Sequence, residues 1–169
     1  MDLYILRHAI AVERGSPGYD DDSTRPLTEQ GAAKMHKAAT GIRSLGLEFD
    51  LVLSSPSLRA RQTAEIVVRE LGAEGVLEFS VHLEPGGSTE SLIGSLVKRG
   101  PLRSVLLVGH EPYLSGLISV LLTGGGDMAT TLKKGGLVKL AVPMLRHGRC
   151  ASLEWAVTPG QLRRIAGEG

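Results

Sequence analysis

The sequence predicts an α/β domain with a mainly parallel sheet and an antiparallel hairpin near its C-terminal end. Three observations carry this. Short uninterrupted apolar runs, such as Leu3-Tyr4-Ile5-Leu6 and Val105-Leu106-Leu107-Val108, have the composition of strands covered on both faces. Between them lie longer segments with apolar residues at helical spacing, and strand–helix alternation is the pattern of a parallel sheet. The last third abandons that alternation: two strand-like runs, Leu137 to Val142 and Ala151 to Val157, are joined by the loop Pro143 to Arg149.

Taken in order, Asp2 to Leu6 is the first strand. The polar stretch Glu13 to Pro26 holds Pro, Gly and three adjacent Asp, and it predicts a long loop. Thr28 can cap a helix whose first turn contains Glu29 and Gln30. Its apolar face is Ala32, Met35, Ala39 and Ile42, and Gly46 stops it. Leu51 to Leu53 is a second strand, ending at Ser54-Ser55-Pro56. A helix from Ser57 carries Ala60, Ala64, Val67, Val68 and Leu71 on one face and closes at Gly72. Val76 to Val81 is a weaker strand, followed by the turn Glu84-Pro85-Gly86-Gly87. Ser88 or Thr89 caps a helix through Leu92, Ile93, Leu96 and Val97, which Gly100-Pro101 ends. Ser104 to Val108 is the clearest buried strand and runs into Gly109-His110. Pro112 suits a first helical turn, and Leu114, Leu117, Ile118, Leu121 and Leu122 form the stripe of the helix that follows. Gly124-Gly125-Gly126 breaks it, and a short helix from Pro159 to Ala166 ends the pattern.

The 169 residues fit one domain over 1–169. Nineteen Lys and Arg against 18 Asp and Glu leave a net charge of +1, so whole-molecule electrostatics points to neither a nucleic-acid nor a membrane partner. Any anion site must be local. The single Cys150 excludes an intramolecular disulfide and a multi-cysteine zinc site, and its place in the last third reads as a strand core position. The run between Asp2 and Arg7 is too short for a secretion signal, and no apolar run approaches the ~20 residues of a membrane span. A cytoplasmic protein is the expectation.

In open parallel sheets, ligands gather beyond the carboxyl ends of the strands. Three chemically loaded segments fall there: Arg7-His8, Ser54-Ser55-Pro56-Ser57-Leu58-Arg59, and Gly109-His110-Glu111-Pro112. Parallel neighbouring strands would bring two His and two Arg to one rim. Guanidinium forks pair the oxygens of a phosphate monoester. A neutral imidazole can attack phosphorus, and a second one can hydrogen-bond an equatorial oxygen. Arg59, near a helix start, adds the helix dipole to the same anion. Either His alone is equally well read as a satisfied buried side chain; the coincidence of all four at strand ends is what points to chemistry. Arg61 reads as a solvated helix charge, and His36, His82 and His147 have no partner pattern. Asp20-Asp21-Asp22 reads as a solvated loop without calcium-loop spacing. The glycine run 124–126 lacks the Lys and Ser or Thr of a nucleotide loop.

Arg7-His8-Ala9, the run Ser54-Ser55-Pro56, Arg59-Ala60 and Gln62-Thr63-Ala64, and Val108-Gly109-His110 with Pro112 together resemble the histidine phosphatase superfamily. Arg25-Pro26-Leu27-Thr28 and the small size are similar to its SixA-type phosphohistidine phosphatase branch. The resemblance spans roughly Asp2 to Leu122, and weakly the C-terminal hairpin. It implies a phosphoglycerate mutase-like three-layer α/β/α sandwich and a metal-independent hydrolase that needs no cofactor. By the same resemblance, His8 is the nucleophile that becomes phosphorylated. Arg7, Arg59 and His110 bind the phosphoryl oxygens. Ala9 departs from the Gly usual after the catalytic His, though Ala occurs in the SixA-like branch. Glu84 stands about where the family supplies an acid for the leaving group; Asp22, in the loop before Arg25, is the rival, and Glu84 is favoured. The implied substrate is phosphohistidine on a partner of the histidine-phosphotransfer type, placing the chain in signal transduction. A small phosphomonoester is the alternative, and a non-catalytic phosphate-binding module is the rival of another class. A receiver-type signalling domain would need a carboxylate cluster at the strand ends, where this chain has Arg and His.

Overall fold

The computed structural model describes residues 1–167. Six strands form one sheet in the order β3-β2-β4-β1-β5-β6. They are β1 (Asp2–Arg7), β2 (Leu51–Ser54), β3 (Leu77–Phe79), β4 (Ser104–Gly109), β5 (Leu137–Ala141) and β6 (Ser152–Val157). β1, β2, β3 and β4 run parallel, with β4 between β2 and β1. β5 and β6 are antiparallel and close the far edge, as the sequence predicts.

The helices are α1 (Glu29–Ser44), α2 (Leu58–Leu71), α3 (Thr89–Val97), α4 (Tyr113–Thr123) and α5 (Pro159–Ile165). Alternation along β1 divides the core. Tyr4 and Leu6 face one side with residues of α1, α2 and α5, including Met35, Val67 and Leu162. Leu3 and Ile5 face the other, with Leu92, Leu96, Leu114 and Leu117 of α3 and α4. The result is the expected three-layer sandwich, with the apolar central strands buried on both faces.

Local chemistry sets the boundaries. Thr28 caps α1 by accepting from the Gly31 N–H, and Ser88, not Thr89, caps α3 by accepting from the Ser91 N–H. Thr158 and Gln161 form a capping box on α5. Two glycines let neighbouring segments touch α1. A Cβ on Gly31 would collide with the Ile10 carbonyl, and one on Gly41 would collide with the Leu162 carbonyl of α5.

Two expectations change. The third strand is only three residues long rather than Val76 to Val81. It is an edge strand with one neighbour, its Glu78 and Phe79 are exposed, and the Ser80 hydroxyl accepts from His82 N–H to start a 3-10 turn. Cys150 precedes β6 rather than lying in it, and it packs against the edge of the core instead of inside it. It is half-buried, and its thiol donates to the Arg146 carbonyl oxygen at 3.1 Å. Among the described residues no helix is long and apolar enough to cross a membrane.

Candidate active site

The ends of β1, β2 and β4 are tied to one another by backbone. His8 N–H donates to the Gly109 carbonyl at 3.0 Å, and Ser55 N–H donates to the Val108 carbonyl at 2.9 Å. Gly135, before β5, donates its N–H to the carbonyls of both Arg7 (3.0 Å) and His8 (3.2 Å). From α2, Thr63 accepts from Ala9 N–H at 3.0 Å while its own hydroxyl donates to the Arg59 carbonyl at 2.7 Å. One buried hydroxyl therefore fixes the chain after β1 against the turn of α2 that carries Arg59. Arg7, His8, Arg59 and His110, all expected at this rim, line one cavity of about 420 Å³. That volume is in the range of ligand sites.

The two imidazoles lie 5.1 Å apart between ring centroids, and both are buried. His8 Nδ1 is 2.7 Å from the Ala9 carbonyl oxygen. A carbonyl only accepts, so Nδ1 carries the proton and the neutral ring keeps its lone pair on Nε2. Burial pushes the His8 pKa down to about 3; the nearby His110, Arg59 and Arg7 add to the effect, and the bond to Ala9 opposes it. His8 is therefore a neutral imidazole at physiological pH, the form that can act as a nucleophile. His110 is likewise pushed down to about 3, first by burial and then by Arg59. Its Nε2 is 2.8 Å from the Ser55 hydroxyl, and its Nδ1 is buried without a hydrogen-bond partner. If the hydroxyl donates to Nε2, the proton resides on Nδ1, which becomes a donor for a bound oxyanion.

The guanidiniums are held by acceptors that leave donors unspent. Arg7 donates Nη1 to the Leu132 carbonyl at 2.8 Å, and its Nε is buried without a partner. Arg59, on the first turn of α2 and 2% exposed, donates Nη1 to the Asp22 carbonyl (2.7 Å) and Nη2 to the Asp22 carboxylate (2.9 Å). Its Nε has no partner either. Buried unsatisfied donors of this kind are costly unless a ligand completes them. Three of them on three residues of one cavity wall suit a multiply charged oxyanion.

Asp22 departs from the solvated loop that the Asp run suggests. Its carboxylate accepts from Arg14 Nε, Arg25 Nε and Arg59 Nη2, at 3.0, 3.0 and 2.9 Å. Burial alone would raise its pKa, but the bonds from Arg14 and Arg25 and the charge of Arg59 outweigh this and hold it well below the usual carboxylate range. Arg25 also donates to the Val12 carbonyl, and Val12 N–H bonds the Pro26 carbonyl, so the base of the 13–26 loop is closed. Asp22 is thus an ionised brace between that loop and Arg59. An ionised carboxylate has no proton to give, which weighs against it as the leaving-group acid.

Glu84 is half-buried in the turn that follows a 3-10 segment after β3. It is not among the residues lining the cavity, whereas its neighbour Pro85 is. Glu111 does line it, but it is engaged by Ser115 N–H (3.1 Å), the Ser115 hydroxyl (2.6 Å) and Leu132 N–H (3.0 Å). Leu132 in turn offers its carbonyl to Arg7, so Glu111 helps place that guanidinium. Sequence reasoning missed Glu13, Arg14, Arg25, Glu111 and Lys134 as cavity residues. The Arg25-Pro26-Leu27-Thr28 run was the signal for Arg25, and the Gly109-His110-Glu111-Pro112 segment was the signal for Glu111; Glu13, Arg14 and Lys134 lie in loops with no pattern to mark them.

The family model for the histidine phosphatase superfamily (branch 1) matches residues 3–82. The chain is 32% identical over 127 residues to the phosphohistidine phosphatase SixA of Escherichia coli (strain K12), covering 73% of this chain and 76% of that protein. It is 37% identical over 143 residues to an uncharacterized protein of a Picosynechococcus strain, covering 83% and 84%. The solved structure of the protein histidine phosphatase SixA complexed with tungstate superimposes with a TM-score of 0.78. It is 27% identical, and the match covers 96% of this chain and 99% of that one.

Proposed function

The chain belongs to the histidine phosphatase superfamily, in its SixA-like branch, and from that premise we propose that it hydrolyses phosphohistidine on a partner protein through a phosphorylated His8. The observation that carries the reading is the neutral His8 ring, proton committed to the Ala9 carbonyl, in the same cavity wall as Arg7, Arg59 and His110.

In the first step the His8 Nε2 lone pair forms a bond to phosphorus. The bond from phosphorus to the leaving nitrogen breaks, and that nitrogen keeps the electron pair. In the second step water attacks the same phosphorus and the bond to Nε2 breaks, restoring its lone pair. Inorganic phosphate departs and the water's proton passes to solvent. A loose phosphoryl transition state asks mainly for positioning and for charge stabilisation. Arg7, Arg59 and His110 supply these, each well-aimed donor contributing about 3 kcal/mol of barrier lowering. The guanidiniums neutralise the phosphoryl charge, so no metal ion enters the proposal. The tungstate bound by the related SixA is a tetrahedral oxyanion of the same kind.

The acids favour a nitrogen leaving group over an alkyl ester. Asp22 is held ionised, Glu111 is engaged three times, Glu84 does not line the cavity, and Glu13 lines it only from an exposed position in the 13–26 loop. Imidazole protonated before it leaves needs no strong acid from the enzyme, and the expected partner is of the cytoplasmic histidine-phosphotransfer type. The test is phosphate release from a phosphohistidine peptide and from an aryl phosphate, with EDTA present, by the wild type and His8→Ala. Turnover that survives the chelator and vanishes in the variant supports the reading. Wild-type inertness toward both substrates removes it.

A further inference from the structure

Beside the active cavity lies a shallow hollow of about 40 Å³, and Lys134 borders both. Its other charged walls are Lys34 of α1 and Arg163 of α5; no carboxylate lines it among the described residues. None of these three cations makes an ion pair with another described residue, whereas Arg14, Arg25, Arg43, Arg59, Arg61 and Arg99 all do. In a chain of net charge +1 this is a local departure from neutrality.

The fold holds the three together. The contact of Gly41 with the Leu162 carbonyl seats α5 against α1, which brings Arg163 beside Lys34. Gly135, the residue after Lys134, is bonded to the carbonyls of Arg7 and His8, so Lys134 is fixed at the edge of the reacting centre. The hollow is far smaller than the several hundred Å³ of a small-molecule pocket. Its cations can meet anions only on a surface laid across them.

We propose that Lys134, Lys34 and Arg163 form a docking strip for an acidic face of the phosphorylated partner protein, next to its phosphohistidine. This rests on the phosphatase reading and names the substrate class more narrowly: the modified histidine is flanked on one side by Asp or Glu. Such a strip steers encounter and fixes orientation, and it weakens as salt rises.

The probe is a peptide bearing a non-hydrolysable phosphohistidine analogue, made with an Asp-rich flank and again with Asn in its place. Binding is read by fluorescence anisotropy at low and high salt. The wild type binds the Asp peptide about tenfold more tightly at low salt, the sum of three exposed ion pairs of ordinary strength. The preference shrinks at high salt and is lost in Lys34→Glu/Arg163→Glu, while p-nitrophenyl phosphate turnover is unchanged. Lys34→Gln/Arg163→Gln, checked by circular dichroism, serves if charge reversal unfolds the chain. Equal wild-type affinity for the two peptides, or a preference that survives in the folded double variant, overturns the proposal. A wild type that prefers the Asp peptide yet hydrolyses no phosphorylated substrate would keep the strip and remove the catalytic reading.

Discussion

Asp22→Asn separates a brace from an acid. Three guanidiniums converge on this carboxylate, with side chains 77% (Arg14), 11% (Arg25) and 3% (Arg59) exposed, while Asp22 itself is 32% exposed. Removing one partner of a fully buried ion pair costs about 3–5 kcal/mol. The exposure of Asp22 reduces that, and the Arg14 pair adds only the few tenths of a surface contact, so about 2 kcal/mol is expected. For a chain of this size that lowers Tm by about 4–8 °C. In turnover, Arg59 loses its anchor and the rate falls by about tenfold. Because the loss is one of positioning, it is the same for aryl phosphates with good and poor leaving groups. Thermal unfolding and a leaving-group series measured on one preparation decide it. A loss that steepens with leaving-group pKa, in a variant as stable as the wild type, would show that Asp22 donates a proton and would refute the brace.

Arg59→Ala should lower kcat by at least ~100-fold with circular dichroism unchanged, because it removes a preorganised donor from the transition state. Ser55→Ala, which deletes the hydroxyl 2.8 Å from His110 Nε2, should lower kcat by about tenfold with little change in KM; an unaffected kcat would mean that the hydroxyl does not set the His110 tautomer. His8 and His110 are held near 3, below the ordinary histidine value. The unfolded chain therefore takes up protons between about pH 6.5 and pH 3 that the folded chain refuses, and stability falls as pH drops through that window. Urea unfolding at several pH values checks this, and His110→Asn should flatten the slope. In Glu84→Gln the leaving-group series should stay parallel to that of the wild type; a selective loss on the poorest leaving group would restore Glu84 as the acid.

The sheet was legible because its central strands are buried on both faces, and that burial leaves a continuous apolar run in the sequence. β3 was overextended because an edge strand leaves only a weak trace, and Ser80 ends it by a local cap. The reacting cluster was legible because Arg7-His8, Ser55 to Arg59 and Gly109-His110 each follow such a run directly, so the parallel order of β2, β4 and β1 suffices to bring them together. What was illegible depends on loop closure. Asp22 stands 37 residues before Arg59, inside an acidic run that reads as solvated. Lys134 reaches the cavity only because Gly135 donates to the carbonyls of Arg7 and His8. No periodicity encodes such contacts.

The central claim is that phosphorus passes through His8. Mixing enzyme with a rapidly cleaved phosphohistidine peptide, quenching in alkali and sequencing by mass spectrometry tests it most directly. The account predicts an acid-labile phosphoryl group on the peptide containing His8, absent from His8→Ala. Full turnover with the label on another side chain, or with label equally present in His8→Ala, would contradict it.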